Sequence, residues 1–256
     1  MNINIGFWDM LLVLAVSVQA TVLAYLYHPK WKALILSLPI PSTLAVLSLG
    51  SPINATNVLA LVVLFIYTHG VRLLHQKLCL PIIPAIVLSA LGYCLIGFAI
   101  VKILPDTDVT FWIASAGVLC LAVLFYIILP HREEPGHRSP LPIWIKLPII
   151  VVVVLFLVIV KNILQGFMTL FPMVGVVASY EARHSLWTIG RQIPVIMLTM
   201  TPMLIVCRLT QQSIGLGFSL TLAWVVFLII LISFTHFTKK TQMVRSESLI
   251  LDKDVE

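Results

Sequence analysis

Long apolar runs alternate with short polar breaks along almost the whole chain. A helix that crosses a bilayer needs about 20 mostly apolar residues. Nine stretches reach or approach that length: Phe7–Tyr27, Ala33–Gly50, Asn54–Leu74, Pro81–Leu104, Val109–Leu129, Pro142–Val160, Ile163–Tyr180, Leu186–Leu209 and Ile214–Phe237. Most breaks between them carry Pro, Gly, Asn or a charge, as helix ends do. The pattern predicts an all-α, polytopic transmembrane helix bundle of about nine spans over residues 1–238. The second and seventh stretches are short and contain proline. The longest polar connection, His131–Pro140, separates the fifth span from the sixth, and a charged tail expected to be unstructured covers 239–256.

Composition removes the soluble alternatives. Of the 256 residues, 60% are hydrophobic and 10% charged, and the mean hydropathy is +1.08. A soluble domain carries about 25% charged residues to wet its surface. The net charge of +6 raises nucleic acid as a partner, but the basic residues stand singly at the ends of apolar runs. No nucleic-acid partner is expected; the lipid bilayer is. The four cysteines, Cys79, Cys94, Cys120 and Cys207, form no CxxC pair and read as small hydrophobes in helix packing. Met1–Gly6 holds no Lys or Arg, so the first span reads as a retained helix rather than a cleaved signal.

Charge asymmetry sets the expected orientation, because Lys and Arg collect on the cytoplasmic side. With the N-terminus outside and nine spans, all of the 16 Lys and Arg lie inside or toward that side except Lys102, Lys161 and Arg208. The His131–Pro140 loop and the tail are then both cytoplasmic.

A repeat is visible at an offset of 133 residues. Lys32–Ala45 and Gln165–Ala178 each hold a proline, Pro39 and Pro172. In both, a small residue stands six positions before it (Ala33, Gly166), another three after it (Ser42, Gly175) and an alanine six after it (Ala45, Ala178). Each proline-bearing span follows one span and precedes two more. Residues 1–104 would then form one repeat, 142–237 the second, and 109–129 a connector helix. A shift of five spans places the copies in opposite orientations, the inverted plan of many secondary transporters. Identity between the copies is low, and any two apolar helices share leucines and alanines.

The candidate chemistry gathers at these prolines. A proline inside a helix removes a hydrogen bond, clashes with the carbonyl four residues back and drives the preceding residue out of the helical region. In hydrocarbon the freed groups must find protein or a wet cavity. Pro39, reinforced by Pro41, and Pro172 are therefore expected to break their spans near the bilayer centre. Ser42, Thr43, Thr169 and Gly175 would stand at a shared polar cavity, with Ser37 also near enough to bond freed carbonyls. None of the ten acids sits at mid-span; Asp9 and Glu181 fall near span ends. His69 is the moderately deep titrating group. Arg72 closes the third span beside it, and Arg191 with Gln192 lies about a turn and a half inside the eighth. An arginine in lipid either snorkels or meets an anion, so Arg72, Arg191, Gln192 and His69 join the candidate site. Gln19 and Gln165 read as amides that bond between helices; Asn54 and Asn57 read as caps of the third span.

The stretch Lys161–Tyr180 resembles the small GlpM-like inner-membrane proteins, with their "PLFPT…A-H-Y" segment after a Lys/Arg-Asn. Thr169 stands where that pattern has proline, Met173 where it has threonine, and Ser179 where it has histidine. The resemblance covers about 50 residues of the second half. It implies a bacterial inner-membrane protein and says little of a substrate.

No Walker loop, HExxH, GxSxG or dinucleotide fingerprint occurs, so neither an enzyme nor a cofactor is expected. The leading expectation is a small secondary transporter whose site lies between the second and seventh spans, with a small anionic or lipid-phosphate solute as the weakly preferred partner. The rival is a non-transporting scaffold or accessory subunit of cell-envelope synthesis, which would show continuous kinked helices and a dry core.

Overall fold

The computed structural model describes residues 6–253 except 131, 133, 138–141, 143, 146, 149, 153–154 and 156–164; the side chains of 165, 166, 168 and 237–253 are likewise outside it. The described residues are helical and contain no strand. In chain order the helices are α1 (Phe7–Tyr25), α2 (Pro29–Ser37), α3 (Ile40–Leu49), α4 (Ala55–Arg72), α5 (Ile82–Ile103), α6 (Asp108–Ile128), α7 (Met173–Glu181), α8 (Leu186–Ile214) and α9 (Leu216–Lys253). A π turn, Leu73–Lys77, extends α4, and a 3-10 helix, Gln165–Leu170, precedes α7.

Seven of the helical segments are long and apolar enough to cross a membrane, counting α2 and α3 as one. The chain is a multi-pass membrane helix bundle. The predicted sixth span falls mostly outside the described residues; those described between Trp144 and Leu155 are helical. The predicted seventh span is interrupted, so neither of its pieces has the length of a span.

Local chemistry sets the ends. Asn54 accepts from the Thr56 amide while the Asn57 side chain accepts from the Asn54 amide, which caps α4 as predicted. Thr107 caps α6 by accepting from the Thr110 amide. Gly50 closes α3 at φ +62, a left-handed turn that costs glycine nothing. From Gly217 to its end α9 meets neither glycine nor proline, and the tail expected to be unstructured continues the helix to Lys253.

α4 is the central post, packed against α5, α6, α8 and the 3-10 helix. α1 packs on α2, α3 and α7, while α9 covers α8. The outer faces stay apolar: Leu95, Ile113, Ile127, Phe218 and Ile232 are exposed. A water-soluble protein would carry charge there, whereas lipid accepts such a surface at no cost.

Candidate functional site

Both predicted breaks are present. α2 ends at Ser37, and Leu38, pushed aside by the following proline, takes φ −69 and ψ 124. Pro39 then opens α3 as its N-cap. In the other segment the 3-10 helix ends at Leu170, and Pro172 is the N-cap of α7. The two broken segments run in opposite directions. The start of α2 lies against the end of α7, where the Lys32 ammonium donates to the Glu181 carbonyl at 2.8 Å. Beyond the far end of α3, Asn57 donates to Thr169 at 3.1 Å.

Where the segments cross, they enclose a cavity of about 60 Å³. Pro39, Pro41 and Ser42 line it from one segment, and Thr169, Pro172, Gly175 and Ser179 from the other. α4 contributes Tyr67 and Thr68, and α8 closes it with Ile189, Ile193, Ile196 and Met200. A Cβ on Gly175 would stand 2.9 Å from the Pro172 Cβ and 3.6 Å from the Tyr67 ring, so only glycine lets the first turn of α7 come this close.

Several carbonyls at the breaks are taken up by side chains. Pro39 accepts from the Ser42 hydroxyl at 2.9 Å, the Thr43 hydroxyl at 2.8 Å and the Thr43 amide at 3.0 Å. Gln19, reaching across from α1, donates to Ile35 at 2.7 Å and Leu38 at 3.4 Å. Tyr93 donates to Phe167 at 2.8 Å. Gln19 is thus the interhelical amide its position predicts, while Tyr93 gave no sequence signal beyond an aromatic in an apolar run.

Two matching bonds hold residues of the cavity wall. On one side Asn57 of α4 holds Thr169, three residues before Pro172. On the other Gln192 of α8 donates at 2.6 Å to Ser37, two residues before Pro39. In each case an amide from the helix that follows one broken segment holds a hydroxyl just ahead of the proline in the other.

Of the predicted site residues, Pro39, Ser42, Thr169, Pro172 and Gly175 line one cavity, and Gln192 bonds to its wall. Four stand apart. Thr43 faces α9, where its hydroxyl accepts from the Trp224 indole at 2.8 Å. His69 stacks on Phe65 and bonds the Phe65 carbonyl at 3.2 Å, one turn back on its own helix. Arg72 lies 4.3 Å over the Trp187 ring, which Arg132 also faces at 4.8 Å. Arg191 donates to the Leu129 carbonyl at 3.3 Å. Sequence position gives depth along a helix but not the face, and these four point to neighbouring helices or to the loop. The Gln165 side chain lies outside the described residues.

The loop before residue 138 docks on the basic end of the bundle. Glu134 caps α8, accepting from the amides of Trp187 at 3.3 Å and Thr188 at 2.6 Å, where a carboxylate also meets the positive pole of the helix. The His137 carbonyl accepts from Lys32 at 2.8 Å. Desolvation and the adjacent Arg183, His184 and Lys32 hold the His137 imidazole below the ordinary histidine range, so it stays neutral at pH 7. At the opposite end Arg208 pairs with Asp108 at 2.6 Å and donates to the Ile53 carbonyl, and Asp9 accepts from the Ser48 hydroxyl. No group of His, Cys, Asp and Glu able to hold a metal ion occurs among the described residues.

Comparison of the chain with protein-family models, with curated proteins and with solved structures gave no match.

Proposed function

We propose that the chain is a small secondary transporter whose substrate passes through the cavity where the two broken segments cross. The observation that carries this reading is the meeting of both breaks at one cavity, each facing the other copy. Breaks in hydrocarbon cost several kcal/mol per unpaired backbone group, and a merely structural bundle gains nothing by placing two of them together. The reciprocal pairs, Asn57 with Thr169 and Gln192 with Ser37, support the inverted repeat, 1–104 against 142–237 about the connector at 109–129. They also suit alternating access, since opening one pair would leave the other shut. On this reading the predicted sixth and seventh stretches complete nine spans. The N-terminus is then outside, the Glu181 end and the tail are cytoplasmic, and the membrane is a bacterial inner one.

The small, largely apolar cavity favours the rival reading, an accessory subunit with a packed core. Proteoliposomes decide between them. Vesicles holding the purified chain are loaded with a pool of small solutes, and protein-dependent exchange is followed by mass spectrometry. Exchange of at least one solute is expected. Folded, inserted protein that exchanges none of them would leave the accessory role.

A further inference from the structure

Among the described residues, the breaks leave amide donors unpaired alongside some carbonyls, those of Leu36, Ser37 and Leu170. The carbonyls of Leu38, Pro39 and Phe167 are all bonded. The amides that open the two half-helices are not: those of Ser42, Val174 and Gly175 have no protein partner among the described residues. α3 and α7 are ten and nine residues long, and each begins on this cavity, so two positive helix ends converge there. Independently, Tyr67 is 2% exposed, lines the same cavity, and its hydroxyl makes no hydrogen bond. The Ser179 side chain is within reach of the phenol, but outside hydrogen-bond geometry. A buried phenol donor is costly to leave unmet.

We propose that the cavity binds a small monovalent anion, held by the opening amides of α3 and α7 and by the Tyr67 hydroxyl. This deepens the transport reading by naming the class of ligand its site takes. The chemistry selects against the other classes. A cation would need a carboxylate, and none lines the cavity; the buried carboxylates Asp9 and Glu181 stand at opposite ends of the bundle, against Ser48 and beside Lys32. A divalent anion would bury a second charge with no cationic side chain on the wall. A volume of about 60 Å³ is several times the roughly 10–15 Å³ that one water needs, which admits a halide, nitrate or a one-carbon carboxylate.

The test uses the purified full chain in detergent, with chloride, bromide, nitrate, sulfate or gluconate as sodium salts at constant ionic strength, and reads the melting temperature. Chloride, bromide and nitrate are expected to raise it saturably; sulfate and gluconate are not. Tyr67→Phe should weaken the apparent affinity about tenfold, the value of one hydrogen bond to a charge. Tyr93→Phe, another buried tyrosine, should lower the baseline and leave the affinity unchanged. Sulfate acting like chloride, no saturable rise, or an unchanged affinity in Tyr67→Phe would each overturn the proposal. If Tyr67→Phe does not fold, bromide anomalous scattering from the parent decides: a peak beside Tyr67 supports the site, and its absence removes it. Anion binding without any vesicle flux would keep this site and remove the transport reading. Flux in gluconate without anion binding would do the reverse.

Discussion

Lys32 is 1% exposed, an expensive place for an ammonium unless its protons are shared. Two carbonyls at 2.8 Å, those of His137 and Glu181, share them, and so one side chain ties α2 to α7 and to the docked loop. Lys32→Met is expected to lower unfolding stability by about 2–4 kcal/mol, because it leaves these carbonyls buried without a donor. Chemical denaturation in detergent measures it, and a loss below about 0.5 kcal/mol would mean water replaces the ammonium. From sequence, Lys32 reads as a topology charge in a loop beside Lys30. Its burial comes from a helix 149 positions away, which no local pattern encodes. The same limit hides Tyr67 among apolar neighbours. Asn54 and Gln19, by contrast, are legible: the polarity of each has one cheap outlet, a cap in the first case and a neighbouring helix in the second.

The prolines show how far an element can be read. Pro39 and Pro172 interrupt their segments, yet Pro194 and Pro202 lie inside the continuous α8. Proline alone therefore does not decide. At the breaks, Gln19, Ser42, Thr43 and Tyr93 take up several of the carbonyls. The offset of 133 residues, rather than the residue type, is what separates the two classes in the sequence. Pro39→Ala combined with Pro172→Ala is expected to let both segments straighten, since alanine is about 3 kcal/mol better than proline within a helix. The variant should insert and accumulate, its melting temperature should stay within a few degrees of the parent's, and vesicle flux should fall about tenfold or more as the half-helix ends vanish. Flux equal to the parent's in a folded double variant would make the breaks ordinary kinks and place the pathway elsewhere.

At the scale of the molecule, the sequence makes the membrane bundle plain, because charge is too scarce to wet a surface and the apolar runs have the length of a span. The count is harder to read. A span that breaks at its centre has the apolar length of a spanning helix but the geometry of two short ones, as α2 with α3 and the 3-10 helix with α7 show. The pairing of Asn57 with Thr169 and Gln192 with Ser37 joins helices that the sequence places far apart, and it yields the most direct test of alternating access. A neutral hydrogen bond contributes about 1 kcal/mol, so removing one should shift an open–closed equilibrium roughly fivefold toward opening on its own side. With the native cysteines replaced and Ser42→Cys as reporter on the cavity wall, a thiol reagent that cannot cross the membrane is applied to either face. Asn57→Ala should raise labelling severalfold from the face nearer the Arg208–Asp108 pair and leave the other unchanged. Gln192→Ala should do the opposite, raising it from the face that carries Lys32 and Glu134. Both variants opening the same face, or neither changing the rate, would mean that the two bonds hold a static core and that the bundle does not alternate about this cavity.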